Sequence, residues 1–368
     1  MLQNLSRLVA RALHTPPPTV GQTPADVVHQ ENKWRLLRYQ TRKEGLRFNT
    51  PILLVPSLIN RHYVLDLMPE KSFVEWLVER GHDVFIIDWG TPTDEDRYLT
   101  FDDICDRYLG RALRVTNRTR GSEKAHVLGY CLGGTLAAIY AAAHESEGIA
   151  SLLALAAPID FSDDGMLGAW TRVPGFDLDA LVAATGNVPW RLMQTAFHLL
   201  RPTMNLAKAV GVIDRAWDDR FLDGFFALET WSNDNVSFPG ACYKRYIQGL
   251  YRDNLLIRDE FALSGRMARL SQITCPTMVV SFAHDMIVPE KSAKALHELV
   301  GASDRVHLHL PGGHVGAVVS RKASKGLWPQ LAEFWEARDD RRHAGEVSLP
   351  EAGQAFSQCT AFVPGTRP

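Results

Sequence analysis

The stretch that decides the fold is Ala125-His126-Val127-Leu128-Gly129-Tyr130-Cys131-Leu132-Gly133-Gly134-Thr135-Leu136-Ala137-Ala138. His126–Leu128 is a short apolar run of strand type, and Leu132–Ala143 is an Ala-rich run of helix type. Glycines stand two before and two after Cys131. That frame is the sharp strand-to-helix turn written G-x-S-x-G, here with Cys in place of Ser. The glycines let strand and helix pack tightly around a strained apex. The helix N-terminus beneath Cys131 favours negative charge, and so the thiolate. The Leu132 backbone N–H would face an oxyanion formed at the apex. A buried Cys beside a glycine turn is the blander reading. It accounts for the cysteine but not for strand, frame and helix together.

Working outward, short apolar runs alternate with helical patterns. Strands are expected at Ile52–Val55, Val84–Ile87, His126–Leu128, Leu152–Ala156, Met278–Phe282 and Val306–Leu310, with an earlier one at Trp34–Tyr39. Helices are expected around Ser72–Arg80, Phe101–Asn117 and Leu132–Ala143. Such alternation predicts an α/β protein with a mostly parallel sheet covered by helices on both faces. It breaks after Pro158. From Ile159 to Ser271 the chain is rich in Trp, Phe, Leu and Met at helical spacing, as in Leu178–Val182, Leu192–Leu200 and Phe221–Trp231. More than a hundred residues are too many for a structureless loop in a compact domain. The expected organisation is therefore a segment 1–22, a core formed by 23–158 and 272–340, a mainly helical cap at 159–271, and a loosely ordered tail at 341–368. The cap would sit over the C-terminal edge of the sheet, where ligands bind.

A nucleophile elbow needs an acid and a base, following it in that chain order. Asp285 comes after the strand Met278–Phe282, in His284-Asp285-Met286-Ile287-Val288-Pro289. His314 comes after Val306–Leu310, in Pro311-Gly312-Gly313-His314-Val315-Gly316. They are the expected acid and base, with loop capping as the bland alternative for Asp285 and a surface loop position for His314. His284 competes as base but precedes the acid, so it reads as peripheral. A second oxyanion donor is expected from the loop after Ile52–Val55, with the Leu58 N–H as the choice. Asn60, Arg61 and His62 read equally as pocket rim or as structure. Asp88-Trp89-Gly90 reads as a strand-end turn with a packed Trp. Trp231, Asn233, Asp234 and Asn235 read as core and turn residues of the cap.

The totals exclude several classes. The 368 residues are 46% hydrophobic and carry a formal net charge of −2, which gives no basic footprint for nucleic acid. Five scattered cysteines without a C-x-x-C pair argue against a disulfide framework or a zinc site, and a reducing cytoplasm is expected. No metal-ligand spacing and no glycine-rich phosphate loop is apparent. Arg7 and Arg11 interrupt any secretory h-region. The apolar positions of residues 2–13 instead suggest a short amphipathic helix stopped at Pro16-Pro17-Pro18. No stretch is apolar for long enough to span a membrane.

Two families resemble this chain. Gly-Tyr-Cys-Leu-Gly-Gly is similar to the elbow of dienelactone hydrolases, a likeness confined to about a dozen residues. Those enzymes lack a large cap, and their interval from Cys to Asp is far shorter. The wider resemblance, from about Thr23 to Arg338, is to the polyhydroxyalkanoate synthases, most of all the catalytic subunit of the short two-subunit (class III) type. It runs through Glu31–Tyr39, Leu58–Leu67, Asp88-Trp89-Gly90, the Cys131 elbow and Ala157–Phe161. Gly186–Pro189, the region of Trp231, Asp285–Pro289 and Pro311–Gly316 complete it. Tyr130 and Leu132 depart from that type, where Gln usually stands at the second position, and lean toward the larger single-subunit enzymes.

The resemblance implies an α/β-hydrolase fold and a Cys-Asp-His triad at Cys131, Asp285 and His314. It also implies polymerisation of (R)-3-hydroxyacyl-CoA with release of CoA. The CoA thioester would be the substrate, with no separate cofactor and no metal. Implied partners are a second, non-catalytic synthase subunit, a second copy of the chain and the surface of a polyester granule in the cytoplasm. The competing chemistry on the same residues is hydrolysis of a thioester or lactone, or transfer of a single acyl group.

Overall fold

The computed structural model describes residue 11 and residues 18–162, 165–199 and 211–339. The elbow strand β5 (Ala125–Tyr130) lies in the middle of an eight-stranded sheet, and all six of its residues are buried. The other strands are β1 (Ala25–Glu31), β2 (Trp34–Tyr39), β3 (Ile52–Val55), β4 (Val84–Asp88), β6 (Ile149–Leu155), β9 (Thr277–Phe282) and β10 (Arg305–Leu310). A separate two-residue hairpin, β7 (Ala262–Leu263) with β8 (Arg266–Met267), lies between β6 and β9 in the chain. The spatial order is β1-β2-β4-β3-β5-β6-β9-β10. From β4 to β10 all pairings are parallel, and β1 and β2 join antiparallel at one edge. Parallel strands covered on both faces have no polar side to show, which is why β3 and β4 read as apolar runs and β5 and β9 as apolar runs interrupted only by His126, Thr277 and Ser281.

Both faces carry helices: α1 (Phe73–Glu79), α2 (Leu109–Arg120), α3 (Leu132–Ala143), then, beyond the cap, α9 (Glu290–Leu299), α10 (Gly316–Val319) and α11 (Leu327–Glu336). Every residue of α3 is buried, so this helix is apolar around its whole circumference, as its Ala-rich sequence permits. Ser72 caps α1 by accepting from the Glu75 N–H. Gly121, at φ 70°, ends α2 in the left-handed region.

Several elements differ from the sequence reading: β6 starts at Ile149 rather than Leu152, and the β7–β8 hairpin, α9, α10 and α11 had no counterpart in it. β1 was not expected. It is an edge strand whose sequence, ADVVHQE, is half-exposed and carries no clean alternation. The helix expected at Phe101–Asn117 opens as a widened turn at Asp103–Tyr108 and runs on to Arg120.

Between β6 and β9 the described residues are mainly helical over the C-terminal edge of the sheet, with α4 (Met166–Thr171), α5 (Leu178–Thr185), α6 (Trp190–Leu199), α7 (Asp219–Asn233) and α8 (Gly240–Tyr246), the last running on as a widened turn at Ile247–Arg252. Asp177 and Asp218 cap α5 and α7. The amphipathic helix expected near the N-terminus and the tail 341–368 lie outside the described residues, apart from Arg11, which pairs with Asp223 of α7. Among the described residues no helix is long and apolar enough to cross a membrane.

Candidate active site

Cys131 stands between β5 and α3 at φ 54°, ψ −130°, a backbone conformation that costs energy for any residue with a side chain. The surroundings enforce it. The Cys131 N–H donates to Leu155 O at 3.0 Å, and its carbonyl accepts from the Gly134 N–H at 2.8 Å. A Cβ on Gly133 would collide with the Val55 carbonyl, and one on Gly129 or Gly134 would collide with the facing glycine backbone or with Ala157. The three glycines are therefore packing requirements that seat α3 against β3 and β5.

The expected acid and base meet behind the thiol. Asp285 Oδ2 lies 2.7 Å from His314 Nδ1, while Asp285 Oδ1 accepts from the Ile287 and Val288 N–H groups at 2.8 and 2.9 Å. Asp285 is 7% and His314 9% exposed, so the pair is shielded from water. With Nδ1 engaged, the other ring nitrogen is left for the neighbouring thiol of Cys131. Burial works against the imidazolium. The neighbouring Cys131 and the hydrogen bond to Asp285 outweigh it, and the His314 pKa is raised from 6.5 to about 10. A nucleophile beside a base, and a base oriented by a third group, is the arrangement of covalent acyl transfer. Tyr130 steadies the base from below: its hydroxyl donates to the His314 carbonyl at 3.2 Å, and the two rings stack at 5.4 Å. His284 is exposed beside Asp285, with its N–H on Gly312 O, and the structure does not bring it into this line.

The thiol opens into a cavity of about 250 Å³ closed over by the cap. The lining is apolar, with Leu167, Trp170, Phe176 and Met193 from the cap and Ile287 and Val288 from the loop after β9. Leu132 is the first residue of α3, so its N–H has no intrahelical acceptor. The loop after β3 contributes differently from expectation at the level of side chains. Leu58 is buried toward Trp34 and Trp89, whereas its neighbours Ser57 and Ile59 line the cavity with Cys131. Ser57 is 2% exposed, and its hydroxyl has no hydrogen-bond partner among the described residues. Sequence reasoning missed Ser57, as well as Tyr243, Tyr246 and Tyr251, which give the cavity its few polar atoms. The spacing of Tyr243 and Tyr246 on one helix face was the available signal for that pair.

The remaining motifs hold the site together. Arg61 Nε donates to Asp234 at 3.0 Å, Tyr63 donates to the same carboxylate at 2.8 Å, Asn60 to Asn235 at 2.6 Å, and the Trp231 indole to the Arg61 carbonyl at 3.0 Å. The cap is thus bolted to the loop beside the nucleophile. Asp88 pairs with Arg35 at 2.5 Å and faces His62 at 3.3 Å. Burial alone would raise the Asp88 pKa, but His62 and Arg35 hold it well below the usual carboxylate range. Trp89 donates to Pro56 O at 3.0 Å, so Asp88-Trp89-Gly90 fixes the strand end rather than the chemistry. Cys105, Cys242 and Cys275 are buried thiols with pKa values pushed up by burial. A larger open groove of about 810 Å³ between Trp76 and Trp328 is lined by serines and lysines with no histidine or cysteine among them.

With this sheet order and a thiol at the elbow, the protein falls in the α/β-hydrolase class. The model of the alpha/beta hydrolase fold matches residues 50–319, and that of the poly-beta-hydroxybutyrate polymerase (PhaC) N-terminus matches residues 14–77. The chain is 33% identical to the poly(3-hydroxyalkanoate) polymerase subunit PhaC of Allochromatium vinosum, over 86% of this chain and 90% of that one. It is 34% identical to the PhaC subunit of Haloferax mediterranei, over 88% of this chain and 65% of that one. The chain belongs to the PhaC polymerase family of the α/β-hydrolase fold. Among solved structures, a soluble variant of monoglyceride lipase from Saccharomyces cerevisiae superposes with a TM-score of 0.54 at 10% identity, covering 89% of this chain and 97% of that one. An esterase from Thermogutta terrifontis does so at 0.52 and 15%, covering 88% and 98%. These likenesses concern the fold alone.

Proposed function

We propose that this chain is the polymerising subunit of a polyhydroxyalkanoate synthase, joining (R)-3-hydroxyacyl groups from CoA thioesters into a polyester. The observation that carries the reading is the partly exposed thiol of Cys131 beside the buried His314–Asp285 pair, opening into an apolar cavity beneath the cap. His314 takes the Cys131 proton, and the thiolate attacks the thioester carbonyl. The Leu132 N–H and the Leu58 N–H stabilise the oxyanion, CoA leaves as the thiol with the proton from His314, and the acyl group stays on Cys131. The 3-hydroxyl of another acyl thioester then gives its proton to His314 and attacks the acyl-cysteine. An ester forms and the thiolate is regenerated to take up the lengthened chain by its own thioester.

Thioester exchange between CoA and a cysteine is nearly balanced in energy, which suits reversible loading. The apolar lining keeps water from the acyl-enzyme and so favours the hydroxyl as acceptor. No cofactor enters this cycle. A second non-catalytic subunit, a second copy of the chain and the granule surface are the proposed partners, and the cytoplasm the proposed location. The test is incubation with (R)-3-hydroxybutyryl-CoA, following CoA release and product, with and without a candidate partner subunit. Polymer with CoA release is expected and is lost in Cys131→Ala. Free acid equal to CoA, with no chain growth, identifies a hydrolase instead.

A further inference from the structure

The last strand carries His307 and His309 two residues apart, so both side chains stand on the same face of β10. Helix α9 crosses that face, and its first residue is Glu290. Sequence spacing did not suggest a metal site, because the carboxylate and the imidazoles come from separate elements. The fold nevertheless places one donor atom of each of Glu290, His307 and His309 within 4.8 Å of the others. His309 Nε2 and Glu290 Oε2 are 3.6 Å apart. Two donors sharing a tetrahedral zinc ion stand roughly 3.4 Å apart, given metal–ligand bonds of about 2.0–2.1 Å.

We propose that Glu290, His307 and His309 bind a zinc-type transition-metal dication at the outer edge of the sheet. Two imidazoles and one carboxylate form a donor set for zinc and its neighbours rather than for magnesium or calcium. Ser281 on β9 supplies the outer support, with its hydroxyl 2.9 Å from both His307 Nε2 and His309 Nδ1. The hydroxyl oxygen has two lone pairs and can accept from both imidazoles, His309 Nδ1–H and His307 Nε2–H, which leaves the other nitrogen of each ring with its lone pair. With His309 Nδ1 as donor, the Nε2 lone pair faces Glu290, the orientation a metal requires. His297 stands beside His307 at 5.9 Å between ring centroids, with an Nδ1 that is buried and has no partner among the described residues. Half-exposed side chains of Glu290 and His309 leave the ion a way in, at 47% and 36% exposure. The ion would clamp the segment that follows Asp285 to the strand that leads into His314.

The test is calorimetric titration of zinc chloride into EDTA-dialysed protein, using the native chain, Cys131→Ala, Glu290→Gln and His309→Gln. One zinc per chain is expected. Binding survives Cys131→Ala and weakens about 10-fold or more in Glu290→Gln and His309→Gln. Excess zinc raises the Tm of the native chain by about 5 °C and leaves the His309→Gln Tm unmoved. Melting of the zinc-free variants at the native temperature shows that they are folded. Absence of binding overturns the proposal. So does loss of binding in Cys131→Ala, which places the ion on the nucleophile, and so does unchanged binding in both edge variants.

Discussion

His314 Nδ1 sits 2.7 Å from Asp285 Oδ2, at the meeting of two loops that leave adjacent parallel strands, β9 and β10, in register. The carboxylate is held on its other oxygen by two backbone N–H groups, so it is positioned before the imidazole arrives. The base therefore has one orientation, and its free nitrogen has one target.

Replacing Asp285 by Asn keeps the shape and removes the charge that favours the imidazolium. The expected result is a fall in the rate of CoA release by about 10³-fold with little change in KM. Single-turnover CoA release against substrate concentration checks it, and a rate within ten-fold of the native one would remove Asp285 from the machinery.

The Ser57 hydroxyl is buried beside Cys131 without a partner among the described residues, a costly arrangement for stability alone. It has a use if the hydroxyl donates to the acyl oxygen in the transition state. Ser57→Ala is then expected to lower kcat about 10-fold while raising stability by roughly 1 kcal/mol. Turnover and urea unfolding of the same variant decide the matter. A merely structural serine would leave kcat unmoved.

Gly133→Ala is expected to cost more than about 3 kcal/mol, because the new methyl meets the Val55 carbonyl, a backbone atom in the middle of the sheet. Gly316→Ala, where a Cβ meets nothing within 4 Å, serves as the comparison and is expected to change stability by less than about 1 kcal/mol. Urea midpoints of the two variants report the difference.

His82 and His126 lie buried near Trp335, and burial lowers their pKa values from 6.5 to about 4 and about 3. Both are neutral in the folded protein at pH 5, where the unfolded chain binds their protons. The stability they allow is present above pH 6.5 and falls as the pH drops below it. By pH 5 each is expected to cost roughly 2 kcal/mol. His314 works in the opposite sense. Its raised pKa contributes stability that is full below 6.5 and is lost as pH rises through about 10. Urea unfolding at pH 7.5 and pH 5 is the measurement, and a smaller acid loss is expected in His82→Gln. An equal loss in that variant would assign the acid sensitivity to other groups.

The sequence by itself determined what is local or forced by periodicity. The strand–glycine–Cys–glycine–helix frame is a short-range steric solution, so Cys131 could be read directly. Strands buried on both faces leave apolar runs, so β3, β4, β5 and β9 could be placed nearly to the residue. Asp285 and His314 were readable because the order of nucleophile, acid and base follows from strand order. Only the tertiary structure decided what faces the thiol. That Ser57 rather than Leu58 turns its side chain to the cavity depends on how the loop after β3 meets the cap. That Arg61 and Asp234 bolt cap to core, and that Glu290 meets two histidines of β10, depends on contacts between distant segments. Neither leaves a local pattern in the chain, since each partner alone looks like an ordinary surface charge. Edge strand β1 escaped for the related reason that pairing with β2, not burial, makes it a strand.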